Sequence, residues 1–131
     1  MLSNSYRFHG RGSLKYVHQH GKTVRGPMLS LKYHQNQQRS RFRCAIIVSR
    51  KVNSSAVVRY RIRRRIYEVV RQEAGQLGAY DLVFVVFSDQ LATISANQLQ
   101  KIVKDCLAQA HLTDTSNSQS NQRDIIKREE N

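Results

Sequence analysis

A small α/β (α+β) two-layer sandwich, with three helices on a small mixed sheet, is the fold this sequence predicts. Three observations carry that prediction. Two segments alternate apolar and polar residues at strand period, a third is almost continuously apolar, and three segments carry helical caps or helical spacing. The 131 residues suffice for one domain plus a tail, not for two cores.

Residues Ser3 to Gly12 read as extended, and Ser13–His20 as a short helix. Ser13 is its N-cap and Gly21 its C′ residue, with Leu14, Val17 and His18 on one face. Gly26-Pro27 then breaks the chain. From Met28 to His34, Leu29, Leu31 and Tyr33 point one way and Ser30, Lys32 and His34 the other, the pattern of a half-buried strand. Gln35–Ser40 reads as a polar hairpin loop leading into a strand over Arg41–Ser49. There Phe42, Cys44, Ile46 and Val48 share one face; Arg41, Arg43, Ala45 and Ile47 share the other.

The long helix spans Ser54–Ala74, capped by Ser54 or Ser55 and ended by Gly75 and Gly78. Val58, Ile62, Ile66 and Val69 form its buried stripe. Tyr80–Phe87 is nearly all apolar and reads as a strand buried on both faces; Asp81 is expected at a strand edge. Ser95 and Gln98 make a capping box with Ile94 and Leu99 as its staple. The last helix runs to about Ala110, burying Leu99, Ile102, Val103, Cys106 and Leu107. Residues 1–112 thus form a single α/β domain. The polar, low-complexity residues 113–131 are expected to be disordered, so their deletion should leave stability and activity nearly intact.

Twenty-two Lys/Arg stand against nine Asp/Glu, a net charge of +13. Residues 1–112 hold 19 Lys/Arg and 5 Asp/Glu, a net +14. A field of that sign attracts polyanions, nucleic acid before acidic membrane. No run approaches the ~18 apolar residues of a membrane span, and Met1–Ser5 lacks a signal-peptide core. Cys44 and Cys106 form no CxxC pair and read as buried small hydrophobes. A reducing, cytoplasmic location is the expectation.

Residues 39–71 concentrate the charge: eleven Lys/Arg and one acid, Glu68. On a helical wheel Tyr60, Arg64, Tyr67 and Arg71 cluster opposite the apolar stripe; Arg61 and Arg63 flank them and Arg65 borders the stripe. Like charges four residues apart disfavour a helix in water unless an anion neutralises them. The rings among them offer stacking surfaces for bases. The helix N-terminus aims backbone N–H groups at the same region. A solvated basic face is the plain alternative, set aside because of the charge density. A membrane-surface helix or calmodulin target would need the apolar stripe free, and the core needs it.

The run Ser49-Arg-Lys-Val-Asn-Ser-Ser-Ala-Val-Val-Arg59-Tyr-Arg-Ile-Arg-Arg-Arg65-Ile66 resembles the signature of the bacterial ribonuclease P protein component family. That signature has a serine, two basic residues, a short turn, then Ala-Val-x-Arg-Asn-Arg-x-(Lys/Arg)-Arg opening a helix. The front segment, Leu14-x-x-Val17-x-x-x-Gly21-Lys22 followed by Val24-Arg25-Gly26-Pro27, resembles the family too. The resemblance covers residues 5–112. It implies a subunit of the ribonuclease P holoenzyme that binds the catalytic RNA and the 5′ leader of precursor tRNA. The RNA would perform the hydrolysis with Mg²⁺. No catalytic residue, metal ligand, cofactor or further protein partner is expected of the protein itself. The implied fold is ribosomal-protein-S5-domain-2-like, with a left-handed strand–helix–strand crossover.

Carried over position by position, Arg50, Lys51, Arg59, Arg61, Arg63, Arg64 and Arg65 match the basic positions that contact the catalytic RNA. Arg71 extends that face, and Tyr60 stands where the family usually has Asn. The leader-binding cleft would draw on Leu14, His18, Lys32, Tyr33, Arg41 and Arg43. Family members usually present aromatic rings there, so leader recognition is expected to rest more on charge here.

Other chemistry finds no support in the sequence. The five histidines lack acidic companions for a nuclease pair. Asp81, Asp89 and Asp105 form no metal-binding cluster. The second reading is a stand-alone RNA-binding module of ribosomal or assembly type. A DNA reader ranks third, because the basic helix lacks the short preceding helix of a helix-turn-helix.

Overall fold

The computed structural model describes residues 16–17, 19–35 and 42–110. Their order is β1 (Lys22–Arg25), β2 (Leu29–Gln35), β3 (Arg43–Ile47), α1 (Ala56–Gln72), β4 (Tyr80–Val86), a 3-10 turn at Asp89–Ala92, and α2 (Ala96–Gln109). The strands form one mixed sheet in the order β1-β2-β4-β3. β2 pairs antiparallel with β1 and β4, and β3 runs parallel to β4. The fold is α+β, with two helices described in full. Of the expected first helix, Tyr16, Val17, Gln19 and His20 are helical. Its start, Leu14, His18, the loop through Arg41 and the tail lie outside the described residues.

Two strand expectations need correction. Gln35–Ser40 does not join a hairpin, because β4 lies between β2 and β3. Alternation reports which face a residue occupies, not which strand lies beside it. The segment apolar on both faces takes the centre, where both faces are covered. The hairpin forms one step earlier, with Gly26-Pro27 at its tip and the unforeseen β1 as its first arm. Lys-Thr-Val-Arg is too short and too polar to show a period. Gly26 donates to the Leu29 carbonyl at 2.8 Å. A Cβ on Gly26 would stand 2.9 Å from that oxygen and 3.0 Å from Cys106 Sγ, so the tip packs too closely for a side chain.

The main core lies between the sheet and the two helices. Leu29, Leu31, Phe42, Cys44, Leu82 and Phe84 face Ile62, Ile66, Leu91, Val103 and Leu107. Each large apolar side chain of this kind contributes roughly 1.5–3 kcal/mol on burial. The alternation expected over the segment that forms β3 is present: Phe42, Cys44, Ile46 and Val48 are all in this core. Val17 packs with Ala45 and Val83 on the opposite face, so one end of the sheet is covered on both sides. The helices therefore do not all form one layer.

Ser55 caps α1, accepting the Val58 N–H at 3.3 Å. The stripe is shifted from the wheel: Ile62, Ile66, Val69 and Val70 are buried, whereas Val58 is partly buried. α1 stops at Gln72 with Glu73 as its C-cap, before the glycines. The buried Glu73 carboxylate lies 3.9 Å from Lys104 Nζ of α2. The capping box of Ser95 and Gln98 opens α2 as expected. Asp81 is not at an edge. It sits in the central strand opposite Arg43, whose Nε and Nη2 each donate to its carboxylate at 2.9 Å.

Candidate nucleic-acid interface

The basic signature folds into a turn and a helix face. β3 leads into a turn closed by the Val52 N–H to Ser49 carbonyl bond at 3.1 Å. Arg50 and Lys51 occupy the middle of that turn and are exposed. Asn53 Oδ1 accepts the Ser55 N–H at 2.8 Å, and its Nδ2 donates to Asp89 at 3.0 Å, tying this turn to the 3-10 turn that follows β4. The arginines of α1 then divide by position on the helix.

Tyr60, Arg61, Arg64 and Arg71 are exposed. Arg63 is half-buried. Arg59 folds back, its Nη1 donating to the Asn53 and Ser54 carbonyls at 3.0 and 2.9 Å. Arg65 spans to the chain before α2, donating to the Leu91 carbonyl at 2.7 Å and to the Ile94 carbonyl. Part of the guanidinium of Arg59 and of Arg65 thus serves the fold. Tyr67 does not join the exposed ring cluster of the helical wheel. It is partly buried against the core and donates to the Cys44 carbonyl at 3.3 Å.

Glu68 is the one acid of α1, and Arg71 donates to its Oε1 from Nε at 3.0 Å and from Nη2. Those bonds, with the nearby positive charge, hold the Glu68 carboxyl below its ordinary range and push Arg71 up. The surface from Arg50 to Arg71 therefore presents net positive charge with one neutralised acid. No acidic residue stands in the first turn of α1, where the helix dipole favours anions.

The second sheet face is set by strand parity. Lys32 and Arg43 lie on it, with Val83, Val85, Ala45 and Ile47. Arg43 is largely committed to Asp81, the two side chains being 18% and 7% exposed. Tyr33 lies on the opposite, core-facing side, 6.3 Å from the Tyr80 ring. Lys32 and Tyr33 are therefore not brought together. Leu14, His18 and Arg41 lie outside the described residues.

The same face carries rings that the sequence reading missed. The exposed Tyr16 ring meets those of His20 at 4.4 Å and His34 at 5.1 Å. Arg25 of β1 lies over the exposed Phe87 ring at 4.9 Å. Phe87 shares strand parity with Val83 and Val85, which was the available signal; Arg25 needed β1, which had none.

Cys44 and Cys106 are buried thiols. Burial pushes the Cys44 thiol up, and burial together with Asp105 raises Cys106 to about 11, so neither is a thiolate at neutral pH. Among the described residues no group of three or more His, Cys, Asp or Glu could hold a metal ion.

The Ribonuclease P family model matches residues 2–111. The chain is 34% identical over 124 residues to the ribonuclease P protein component of Roseiflexus castenholzii, covering 94% of this chain and all of that one. It is 35% identical over 112 residues to that of Chloroflexus aurantiacus, covering 85% of this chain and 82% of the relative. In fold it is similar to the RNase P protein of Staphylococcus aureus, with a TM-score of 0.75 at 22% identity over 83% of this chain and 98% of that one. The Thermotoga maritima RNase P protein gives a TM-score of 0.70 at 19% identity over 77% and 94%. With the basic turn and helix in the positions of the signature, the chain belongs to the ribonuclease P protein component family and is a subunit of the endoribonuclease that processes tRNA 5′ ends.

Proposed function

We propose that this subunit holds the ribonuclease P RNA across the surface formed by Arg50, Lys51, Arg61 and Arg64, and the 5′ leader of precursor tRNA on the second sheet face. The observation that carries the reading is the exposed basic run of the turn and α1, whose one acid is already paired. Arginine forks at this density suit phosphate oxygens, and counter-ion release supplies most of the affinity. Lys32, Tyr16, His34 and the Arg25–Phe87 pair give the second face both charge and stacking surface for a single strand.

In this reading the hydrolysis belongs to the RNA and its Mg²⁺, and the protein contributes affinity for the leader. The family also supports a left-handed β3–α1–β4 crossover of ribosomal-protein-S5-domain-2-like type and a cytoplasmic site of action. Among the described residues no helix is long and apolar enough to cross a membrane.

The test is cleavage of a precursor tRNA with a 5′ leader by a bacterial ribonuclease P RNA, with and without the protein, at low Mg²⁺ and moderate salt. Strong stimulation that requires the RNA, and no cleavage by the protein alone, is the expected result. Tight RNA binding without stimulation would instead indicate a stand-alone RNA-binding module.

A further inference from the structure

We propose that the groove between α1 and α2 is a pocket for one unstacked nucleobase of the RNA partner. The proposal rests on the RNA-binding reading above and adds a base-recognition site to it. The groove encloses about 590 Å³, within the roughly 300–1,000 Å³ of small-ligand sites. One wall is Tyr60 of α1, and Leu99 of α2 stands on the other side. Arg61 and Arg64 also line it.

The composition of the groove selects the occupant. Val57 is 68% exposed and Tyr60 48%, and both open into this groove rather than into the core. Single exposed apolar residues need no explanation, but a valine and a ring flanked by arginines form a surface that phosphates alone would not use. The Glu68 carboxylate, paired with Arg71, also lines the groove. Both hydrogen bonds from Arg71 end on Oε1, which leaves Oε2 as an acceptor. Gln72 of α1 and Gln100 of α2 add carboxamides, each able to donate and accept.

A ring to stack on, an apolar wall, acceptors for exocyclic amino groups and arginines at hand for the flanking phosphate match an unstacked, amino-bearing base. A base paired in a duplex cannot enter. Tyr60 thus takes a stacking role at a position where the family signature has Asn.

The chain contains no tryptophan, so a Tyr60→Trp protein carries a single indole in the groove. Its fluorescence is followed while fluorescently labelled 12-mers of oligo(A), oligo(C) and oligo(U), and an RNA duplex of equal charge, are titrated at moderate salt. RNA binding is read separately from the anisotropy of the label. Oligo(A) and oligo(C) should quench the indole at least twofold more than oligo(U) or the duplex. With the wild-type chain as reference, Tyr60→Leu should weaken oligo(A) binding about tenfold and leave duplex binding unchanged, whereas Tyr60→Phe should retain it. Normal RNA binding with an unquenched indole, or with equal losses for single strands and duplex, would overturn the pocket. Absence of any anisotropy change would instead overturn the RNA-binding reading on which it rests.

Discussion

Arg61 and Arg65 lie one helical turn apart and are used differently. Arg61 is exposed; Arg65 is half-buried and donates to two carbonyls in the approach to α2. A charged donor shared between two part-buried carbonyls is worth more than an exposed charge, because its removal strands acceptors. We expect Arg65→Ala to lower folding stability by about 2–3 kcal/mol. Arg61→Ala should change it by less than about 0.5 kcal/mol. Denaturant unfolding of the two variants separates a fold-holding arginine from an RNA-facing one. The sequence marked both as basic positions of one signature, and burial alone tells them apart. Tyr67 makes the same point: the wheel placed it outside, and its hydroxyl reaches the Cys44 carbonyl.

Among the elements, the parallel pair β3–β4 is the junction between the main core and the second face. Arg43 and Asp81 face each other across it with a two-pronged ion pair that is largely buried. Removing one partner breaks this two-pronged pair and takes a close counter-charge from the other side chain. Asp81→Asn is therefore expected to cost about 3 kcal/mol, part of which a second substitution, Arg43→Met, should recover. Thermal unfolding of the single and double variants measures this. The strands themselves were legible where a period was long enough, as in Leu29-Leu31-Tyr33 and Phe42-Cys44-Ile46-Val48. The caps of Ser55 and Ser95 were legible because their chemistry is local. β1 was not, since four residues with Val24 as the one apolar position carry no period and gain their place from pairing with β2.

Over the whole molecule the net charge of +13 sets the response to salt. Replacing Arg61 and Arg64 together by Ala should weaken binding to the ribonuclease P RNA. It should also flatten the slope of log K against log salt by roughly 1.5–2, with folding nearly unchanged. Binding isotherms at several salt concentrations give that slope; an unchanged slope in the folded double variant would remove these two residues from the interface.

The sequence by itself determined the basic signature, the family it resembles, the main helices with their caps, and which residues alternate into the core. These are local properties, written in spacing and side-chain chemistry. Only the tertiary structure decided the rest. It inserted β4 between β2 and β3, and it paired Asp81 with Arg43. It also set Tyr60 across a groove from α2. Each of these depends on residues far apart in the chain meeting as the apolar segments bury one another, and no local period records which of them meet.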